Sequence, residues 1–592
     1  MTEEVFEIKL NGERVLCKKG EPLAVCLYRS GVKQFNYSSK HQRSRGFTNL
    51  DWWMPERLQS EQDSFLNPYA AINEKGLSLK TPKTGVAHRL LTKTVSKLIN
   101  SEFPHRPTIR KPPFWRLTSS YLRRDLPHPL PSETKGEAVE PTILETDVLV
   151  VGSGISGICF AVKLKELGGK VAVIEGDHIC GGHAVYDEST IDSIGKRARD
   201  YVETVLKRAK DERVPLLTDV VFNGFFDDGA LGIRLGGLRA DAPMLLKAKF
   251  FVFATGLRDL PCLFENNDLP GHMVASSALK LANYYGVKPG SKGVVIGDSE
   301  YAVRTALQLK KIGTSVTLVT GYGNCREVRK EYLAGLQEEG VEITTVVKKM
   351  RAEGRGKLEF LTVDDKKLAA DFVASAGCWS PALELFGQAG IHIGYSHWMN
   401  CLLPMHGWYG QTANPSVFVI GRSSGVLDEH ISSAFAEATA YHIAKKLKLK
   451  VNENQVMTRL NDAKETLSRR YPQNYEAYCK LVNCYEAGEV LNEPRPKPVY
   501  AEDPRKVFVC VCEDVTLDDI YRGVKVHGFQ DIELLKRYTG IGTGKCQGKI
   551  CLTNVVYAIS DLTGKPPSVV GTFRQRPMVV TTSLESLEAL RS

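Results

Sequence analysis

The sequence predicts a multidomain α/β protein with a small cysteine-bearing module near its C-terminus, and three observations carry that expectation. Strand-like and helix-like stretches alternate from Thr146 to about residue 440, the mark of parallel sheets. Within them, two segments repeat the order apolar strand, short turn, helix, second strand, at 147–175 and 293–319. Four of the fourteen cysteines fall between Cys510 and Cys551. A chain of 592 residues is also too long for one hydrophobic core, since single cores stop growing beyond roughly 250–300 residues.

Hydrophobic residues make up 43% and charged residues 25% of the chain, values close to those of globular proteins, which argues against extensive disorder. Met1 leads into Thr2-Glu3-Glu4-Val5 without a basic stretch before an apolar one, and no apolar run approaches the ~18 residues that span a bilayer. The expectation is a soluble, cytoplasmic chain with no transmembrane segment. Irregularly scattered cysteines fit a reducing compartment, with thiols as core residues or metal ligands rather than disulfides. The net charge of +10 is not gathered into a Lys/Arg stripe interleaved with aromatics, and Lys445-Lys446-Leu447-Lys448 reads as a solvated helix end. No nucleic-acid partner is expected. An acidic partner, a lipid surface or an anionic cofactor is compatible with such charge.

In chain order, 5–31 reads as two short strands around Asn11-Gly12, followed by an apolar helix at 23–28 that ends near Gly31. Residues 37–145 are rich in Pro, Arg and aromatics and read as a long wrapping segment. Within it, Trp52-Trp53 and 104–131 fit either partner surface or core. The apolar strand Asp147-Val148-Leu149-Val150-Val151 then runs into a Gly-rich turn and a helix at 158–167. Residues 452–495 are polar and helix-like with a break at Tyr471-Pro472. A compact cysteine-bearing unit occupies 505–565.

The first turn, Gly152-Ser153-Gly154-Ile155-Ser156-Gly157, follows a strand, opens a helix and precedes a second strand at 170–174 that ends in Glu175. In a dinucleotide-binding turn the first glycine makes the bend, the second lets backbone approach the pyrophosphate, and the third allows close helix–strand packing. Glu175 stands where an acid meets the adenosine ribose, which favours FAD or NAD over NADP, whose 2′-phosphate it would repel. The second unit, Gly293-Val294-Val295-Ile296-Gly297-Asp298-Ser299-Glu300, keeps only Gly297 of the three glycines and has Thr320 where an acid would stand. It is expected to share the fold, with ligand binding and a purely structural role both open. The strands at 251–253 and 417–419 end at Ala254-Thr255-Gly256 and Ile420-Gly421. They bring Thr255, Gly256 and Gly421 to a sheet edge where ligands collect.

Near the C-terminus the spacing is Cys510-x-Cys512, then Cys546-x4-Cys551. Two close pairs of thiolates fit the irons of a [2Fe–2S] cluster or a tetrahedral zinc, and the C-x-C half departs from the C-x2–4-C pairs of structural zinc sites. Free thiols are the bland alternative. Cys159 and Cys180 read as core thiols, no C-x-x-C dithiol is present, and none of the 13 histidines sits in a catalytic motif. No residue is therefore assigned as acid or base.

These segments carry a resemblance to a known family. His41-Gln42-Arg43-Ser44-Arg45-Gly46, Asp268-Leu269-Pro270-Gly271, Ala376-Gly377-Cys378-Trp379-Ser380-Pro381, Cys512-Glu513-Asp514-Val515-Thr516 and Lys536-Arg537-Tyr538-Thr539-Gly540-Ile541-Gly542 resemble the α subunit of heterotetrameric sarcosine oxidases. Opine oxidases and archaeal dye-linked L-proline dehydrogenases are relatives. The resemblance runs over nearly all of the chain, and the last two motifs are the most specific. It implies a glutathione-reductase-like core of two dinucleotide-binding domains holding FAD or NAD. Amine dehydrogenation is then expected on a separate β-type subunit with its own FAD, and an FMN at the junction with that partner.

The domain order expected on this basis is a ferredoxin-like β-grasp domain at 1–95 lacking cluster cysteines, since Cys17 and Cys26 form no ligand set, then a wrapping linker at 96–145. The first dinucleotide domain takes 146–270 and 372–450, and a degenerate second one 271–371. A helical linker at 451–504 leads to a BFD-like [2Fe–2S] domain and tail at 505–592. The family's long α subunits continue into a folate-binding domain that this sequence does not include, so folate-coupled chemistry and sarcosine itself are not the expected activity. Many FAD-binding relatives end the late strand in Gly-Asp, whereas Arg422 follows Gly421 and is a donor only. This favours NAD, or FAD held differently. All four C-terminal cysteines are present, as a one-electron relay from amine oxidation to an external acceptor requires. The rival readings are a self-sufficient FAD-dependent NAD(P)H oxidoreductase and a non-catalytic electron-transfer or scaffold subunit.

Overall fold

Asn11 and Gly12 both take positive φ, 52° and 87°, the backbone that matches a two-residue turn to the twist of its strands. They join the antiparallel strands Val5–Leu10 and Glu13–Lys18. The computed structural model describes residues 4–38, 43–51, 54, 58–60, 65–66, 68–69, 76–80, 142–226, 229–235, 242–322, 330–346, 348–495, 502–580 and 582. Trp52-Trp53, the stretch 104–131, His41 and Gln42 lie outside these residues, as does most of the wrapping segment.

Strand Ser78–Lys80 runs parallel to Val5–Leu10, and helix Leu23–Arg29 covers the sheet with six buried residues, the β-grasp arrangement. Cys17 on the strand and Cys26 on the helix point into one core and form a disulfide. The expectation that cysteines stay as thiols is corrected at this pair. The two inward positions are brought face to face, with Cα atoms 5.1 Å apart.

In the first large sheet, Val171–Ile174, Thr142–Val151, Ala242–Phe253 and Val417–Val419 run parallel side by side. A hairpin of Val220–Phe226 and Gly229–Arg234 lies beside the start of Ala242–Phe253. The strands are apolar on both faces because helices Ile155–Glu166 and Glu429–Lys446 cover one side and the cysteine module the other. The second sheet, also parallel, is ordered His272–Val274, Phe372–Ser375, Lys292–Ile296, Ser315–Thr320, Glu342–Thr345. Strand Phe372–Ser375 therefore belongs to the second unit rather than the first. Its pairing with strands on both sides decides this.

Helices Glu453–Arg470 and Pro472–Glu486 meet at Tyr471, with Pro472 at the first helical position where its missing N–H costs nothing. The module comprises the strand pair Phe508–Cys510 and Val515–Thr516 with helices Leu517–Tyr521, Ile532–Thr539, Leu552–Thr563 and Pro567–Val570. Val509, Leu552, Val556 and Phe573 share one apolar core with Leu149, Phe251 and Phe253 of the first sheet. Cys546 and Ile550 join the core formed by the β-grasp unit and the second sheet. No helix among the described residues is long and apolar enough to cross a membrane.

Candidate functional site

The parallel strands of the first sheet deliver Gly152, Glu175, Thr255 and Gly421 to one carboxyl edge. A cleft of about 250 Å³ opens there, lined by Gly152, Gly154, Glu175, Thr255 and Gly256 among others. Gly152 has φ +107°, and a Cβ on it would lie 2.5 Å from Ala254 O. A Cβ on Gly154 meets nothing within 4 Å, so backbone is exposed to the cleft at the start of helix Ile155–Glu166, where anions bind. The Glu175 carboxylate accepts from Ser153 N at 2.9 Å, Ser153 Oγ at 2.8 Å and Asp177 N at 3.0 Å. Burial holds its carboxyl above the ordinary carboxylate range, an effect those hydrogen bonds offset only in part. Thr255 Oγ1 is buried with no hydrogen-bond partner among the described residues, a polar atom left for a ligand.

Three residues expected to contact the cofactor do not line the cleft. Ser156 does not line the cleft, because its hydroxyl is 2.9 Å from Ser432 Oγ on helix Glu429–Lys446. Gly157 is a packing position whose Cβ would overlap Gly152 O. Gly421, at φ +79°, lies against Ser156, so that Arg422 rather than Gly421 faces the cleft. Cys159 is buried as expected, whereas Cys180 is half-exposed rather than a core thiol.

The second turn is filled from within. Asp298 Oδ1 accepts from Gly321 N at 2.5 Å, Ser299 caps the helix through Ala302 N at 3.3 Å, and Glu300 opens helix Glu300–Lys311. Thr320 is bonded to its neighbours Thr344 and Thr345.

In the module, Cys510, Cys546 and Cys551 are buried and Cys512 is half-buried. Cys512 Sγ lies 3.3 Å from Cys546 Sγ. Protons shared among the thiols hold Cys510 and Cys546 below the ordinary thiol range and Cys512 and Cys551 above it. Among the described residues, no three of the four sulfurs lie within 4.8 Å of one another. A mononuclear tetrahedral site with metal–sulfur bonds of ~2.3 Å would draw all of them to about 3.8 Å separation.

Several residues of this region carry no sequence signal of their own. Lys549, between Cys546 and Cys551, is fully enclosed, donates to Cys546 O at 3.2 Å and to Val579 O, and lines the cleft beside Glu384. Burial lowers its ammonium to about 8. Arg258 and Glu384 pair at 2.7 Å in the same wall. Asp177, one residue beyond Gly176, binds buried Lys280 across the cleft mouth. The described part of the motif at 43–46 meets the motifs at 268–271 and 512–516 in space. Arg45 bridges Asp268 and Asp514, Arg43 grips Asp268 at 2.6 Å, and both cations stand 5.0 Å from the Phe508 ring centre. Their role is to lock the N-terminal unit to the module.

Residues 146–460 match the family described as pyridine nucleotide-disulphide oxidoreductase, and residues 504–591 match the sarcosine oxidase A3 domain. The α subunit of sarcosine oxidase from Rhizobium meliloti (strain 1021) is 24% identical over 96% of this chain and 56% of its own length. An opine oxidase subunit from Agrobacterium tumefaciens (strain Ach5) is 22% identical over 75% of this chain and 92% of its own. The chain thus spans about half the length of the sarcosine oxidase subunits it matches. The crystal structure of L-proline dehydrogenase from P. horikoshii superposes over 99% of this chain and 98% of that one, with a TM-score of 0.69 at 19% identity. The resemblance read from the sequence motifs is shown by these relatives, and the two-sheet core is the one their shared fold requires. With a match extending over more than half its length, the chain belongs to the pyridine nucleotide-disulphide oxidoreductase family.

Proposed function

We propose that this chain is the α-type subunit of a heteromeric flavin-dependent amine dehydrogenase or oxidase of the sarcosine, proline or opine type. In this reading it binds FAD or NAD in the first cleft and relays electrons through a [2Fe–2S] cluster held by Cys510, Cys512, Cys546 and Cys551. The observation that carries it is Lys549: the loop between two of the cysteines forms part of the cleft wall, so the two centres share a boundary. When bound, the dinucleotide supplies hydride chemistry and the cluster one-electron chemistry.

The chain's own residues bind and orient. Gly154 leaves room for the pyrophosphate, Glu175 faces the ribose hydroxyls, and the Thr255 hydroxyl has no other partner among the described residues. The buried ammonium of Lys549, held on Cys546 O, would place a positive charge near Cys546 and Cys512, where it would favour the more negative, reduced state of a cluster. Aliphatic packing by Ile550, Leu552 and Val509 excludes water from three of the four cysteines. An FMN phosphate at the partner junction would find Lys536, Arg537, Arg574 and Arg576 around the loop at 540–543. The acids Asp298 and Glu300 disfavour nicotinamide dinucleotide binding at the second turn, which weighs against a self-sufficient reductase.

Anaerobic purification with and without a co-purifying partner tests the proposal, followed by cofactor extraction, iron and sulfide assay, and turnover with proline, sarcosine and NADH. One cluster per chain with amine oxidation only in the complex is expected. Zinc in place of iron, or flavin-dependent NADH oxidation by the lone chain, overturns it.

A further inference from the structure

The four cysteines of the module stand on the boundary between two apolar cores. Cys510 and Cys551 are buried in the core of the first sheet, with Leu149 and Phe251. Cys546 is buried in the core shared by the N-terminal unit and the second sheet, with Leu23 and Val295, and Cys512 packs against both cores. A group held by all four sulfurs therefore has to tie one core to the other.

A hinge lies between those cores. The chain passes from the first sheet to the second through 254–271 and returns through 376–382, and the two segments meet as the short antiparallel pair Arg258–Asp259 and Trp379–Ser380. At such connections, where strands end, a few changes in φ and ψ turn one domain against another. Asp259 grips the hinge from the second unit. Its carboxylate accepts from Trp379 Nε1 on the opposite strand at 2.9 Å, and from Ser276 N at 2.7 Å and the Tyr301 hydroxyl at 2.8 Å.

The module grips the same hinge immediately beside its cysteines. Buried Asn267 makes a two-point contact with Phe508: Nδ2 donates to Phe508 O at 2.9 Å, and Oδ1 accepts from Phe508 N at 2.8 Å. Phe508 opens the strand that ends in Cys510. Helix Leu552–Thr563 begins directly after Cys551. Its Thr553 Oγ1 donates to Ser380 Oγ on the return segment at 2.8 Å, and its Asn554 Nδ2 donates to Pro261 O on the outgoing one at 3.2 Å. Any rotation that shifts 261–267 against Ser380 therefore displaces Cys510 relative to Cys551, and both relative to Cys546 in the other core.

We propose that occupancy of the four cysteines and the angle between the two dinucleotide units are linked, with Asn267 and Asn554 as the positioning residues that transmit the coupling. Filling the site stiffens the hinge, and holding the hinge at its present angle tightens the site, because such a coupling is reciprocal. The inference rests on the relay reading only in that the four cysteines hold one group in common. It requires a group that bridges the sulfurs and is indifferent to whether that group is a [2Fe–2S] cluster or zinc.

Hydrogen exchange on the full-length chain tests this in three states: reconstituted anaerobically with ferrous iron and sulfide, loaded with Zn²⁺ instead, and stripped with a chelator, with bound metal counted in each. The Leu260 amide, which donates to Cys378 O across the hinge at 3.0 Å, is the reporter. Exchange over 258–264 is expected to slow about tenfold or more on loading, since amides exchange through local opening. In Asn267→Ala and Asn554→Ala the loaded and stripped forms should exchange alike over 258–264, and bound iron should pass to a chelator about tenfold faster, the effect of one lost buried hydrogen bond. A substitution that only lowers stability would speed exchange in both states and keep their ratio. Where Asn267→Ala does not fold, Asn554→Ala carries the test. Loading without added protection at the hinge, or an unchanged loaded-to-stripped ratio in the variants, overturns the proposal. Protection by zinc in a chain that takes up no iron keeps the linkage and removes the relay, whereas uptake of neither metal overturns both.

Discussion

The two strand–turn–helix units of this protein share a backbone plan and differ in what occupies the turn. In both, the first glycine is wedged against the end of the neighbouring strand: a Cβ on Gly152 would lie 2.5 Å from Ala254 O, and one on Gly297 would lie 2.6 Å from Ala376 O. They differ in where the carboxylate comes from. In the first unit it stands at the end of the second strand, as Glu175, and holds Ser153 of the turn. In the second it stands in the turn, as Asp298, and holds Gly321 at the end of the strand. The second helix is further closed by its own Ser299 cap and by Glu300 in the first turn, whereas helix Ile155–Glu166 starts at Gly154 with no side-chain cap and no acid. A helix N-terminus binds an anion only while its N–H groups and positive potential remain unclaimed. The fold of a dinucleotide unit and its competence to bind are thus separable.

Acid should load both units, through His272 in the second and His442 on helix Glu429–Lys446 beside the first. His272, on the edge strand of the second sheet, is enclosed, with Nε2 2.7 Å from Ser375 Oγ. Burial lowers its pKa from 6.5 to about 4. The unfolded chain then takes up a proton that the folded one refuses, so stability falls as pH drops from about 6.5 to about 4, by up to about 3 kcal/mol. Hydrogen exchange is expected to show strands His272–Val274 and Lys292–Ile296 opening as pH falls, and His272→Gln to flatten that slope in the second sheet and not at Thr142–Val151. An unchanged slope in His272→Gln would sink this.

Next in size, Gly152→Ala and Gly297→Ala should each cost about 1–3 kcal/mol in chemical denaturation through forced backbone shifts. Similar losses would confirm that the shared glycine serves packing in both units. Gly154→Ala sharpens the contrast, because its methyl has open space and φ is −64°. Its stability should stay within about 0.5 kcal/mol of the parent while bound dinucleotide falls about tenfold, equivalent to ~1.4 kcal/mol; retention of the dinucleotide would remove the first turn from the site. The smallest effect is expected from Ser299→Ala, about 1 kcal/mol for a lost cap, with dinucleotide content unchanged.

Much of this was legible locally. The strand at 147–151, the paired turns, the break at Tyr471-Pro472 and the two cysteine pairs each announce themselves within a few residues, because periodicity, glycine placement and ligand spacing are local properties. The glycine turn also marked the correct end of the correct strand. Within that motif, though, Ser156 and Gly157 turned out to serve packing. A GxGxxG pattern does not say which of its side chains the neighbouring helix will use.

By itself, then, the amino-acid sequence determined the α/β class, the first dinucleotide turn with Glu175, the decay of the second turn and the four candidate cluster ligands. Only the tertiary structure decided that Phe372–Ser375 joins the second sheet, that Cys17 faces Cys26, that Lys549 walls the cleft and that Arg422 rather than Gly421 faces it. The physical reason is the distance along the chain over which these contacts close. Arg45 meets Asp514 across a sequence separation of 469 residues, and such a pairing is set by the packing of whole sheets and cores, to which no local pattern is sensitive.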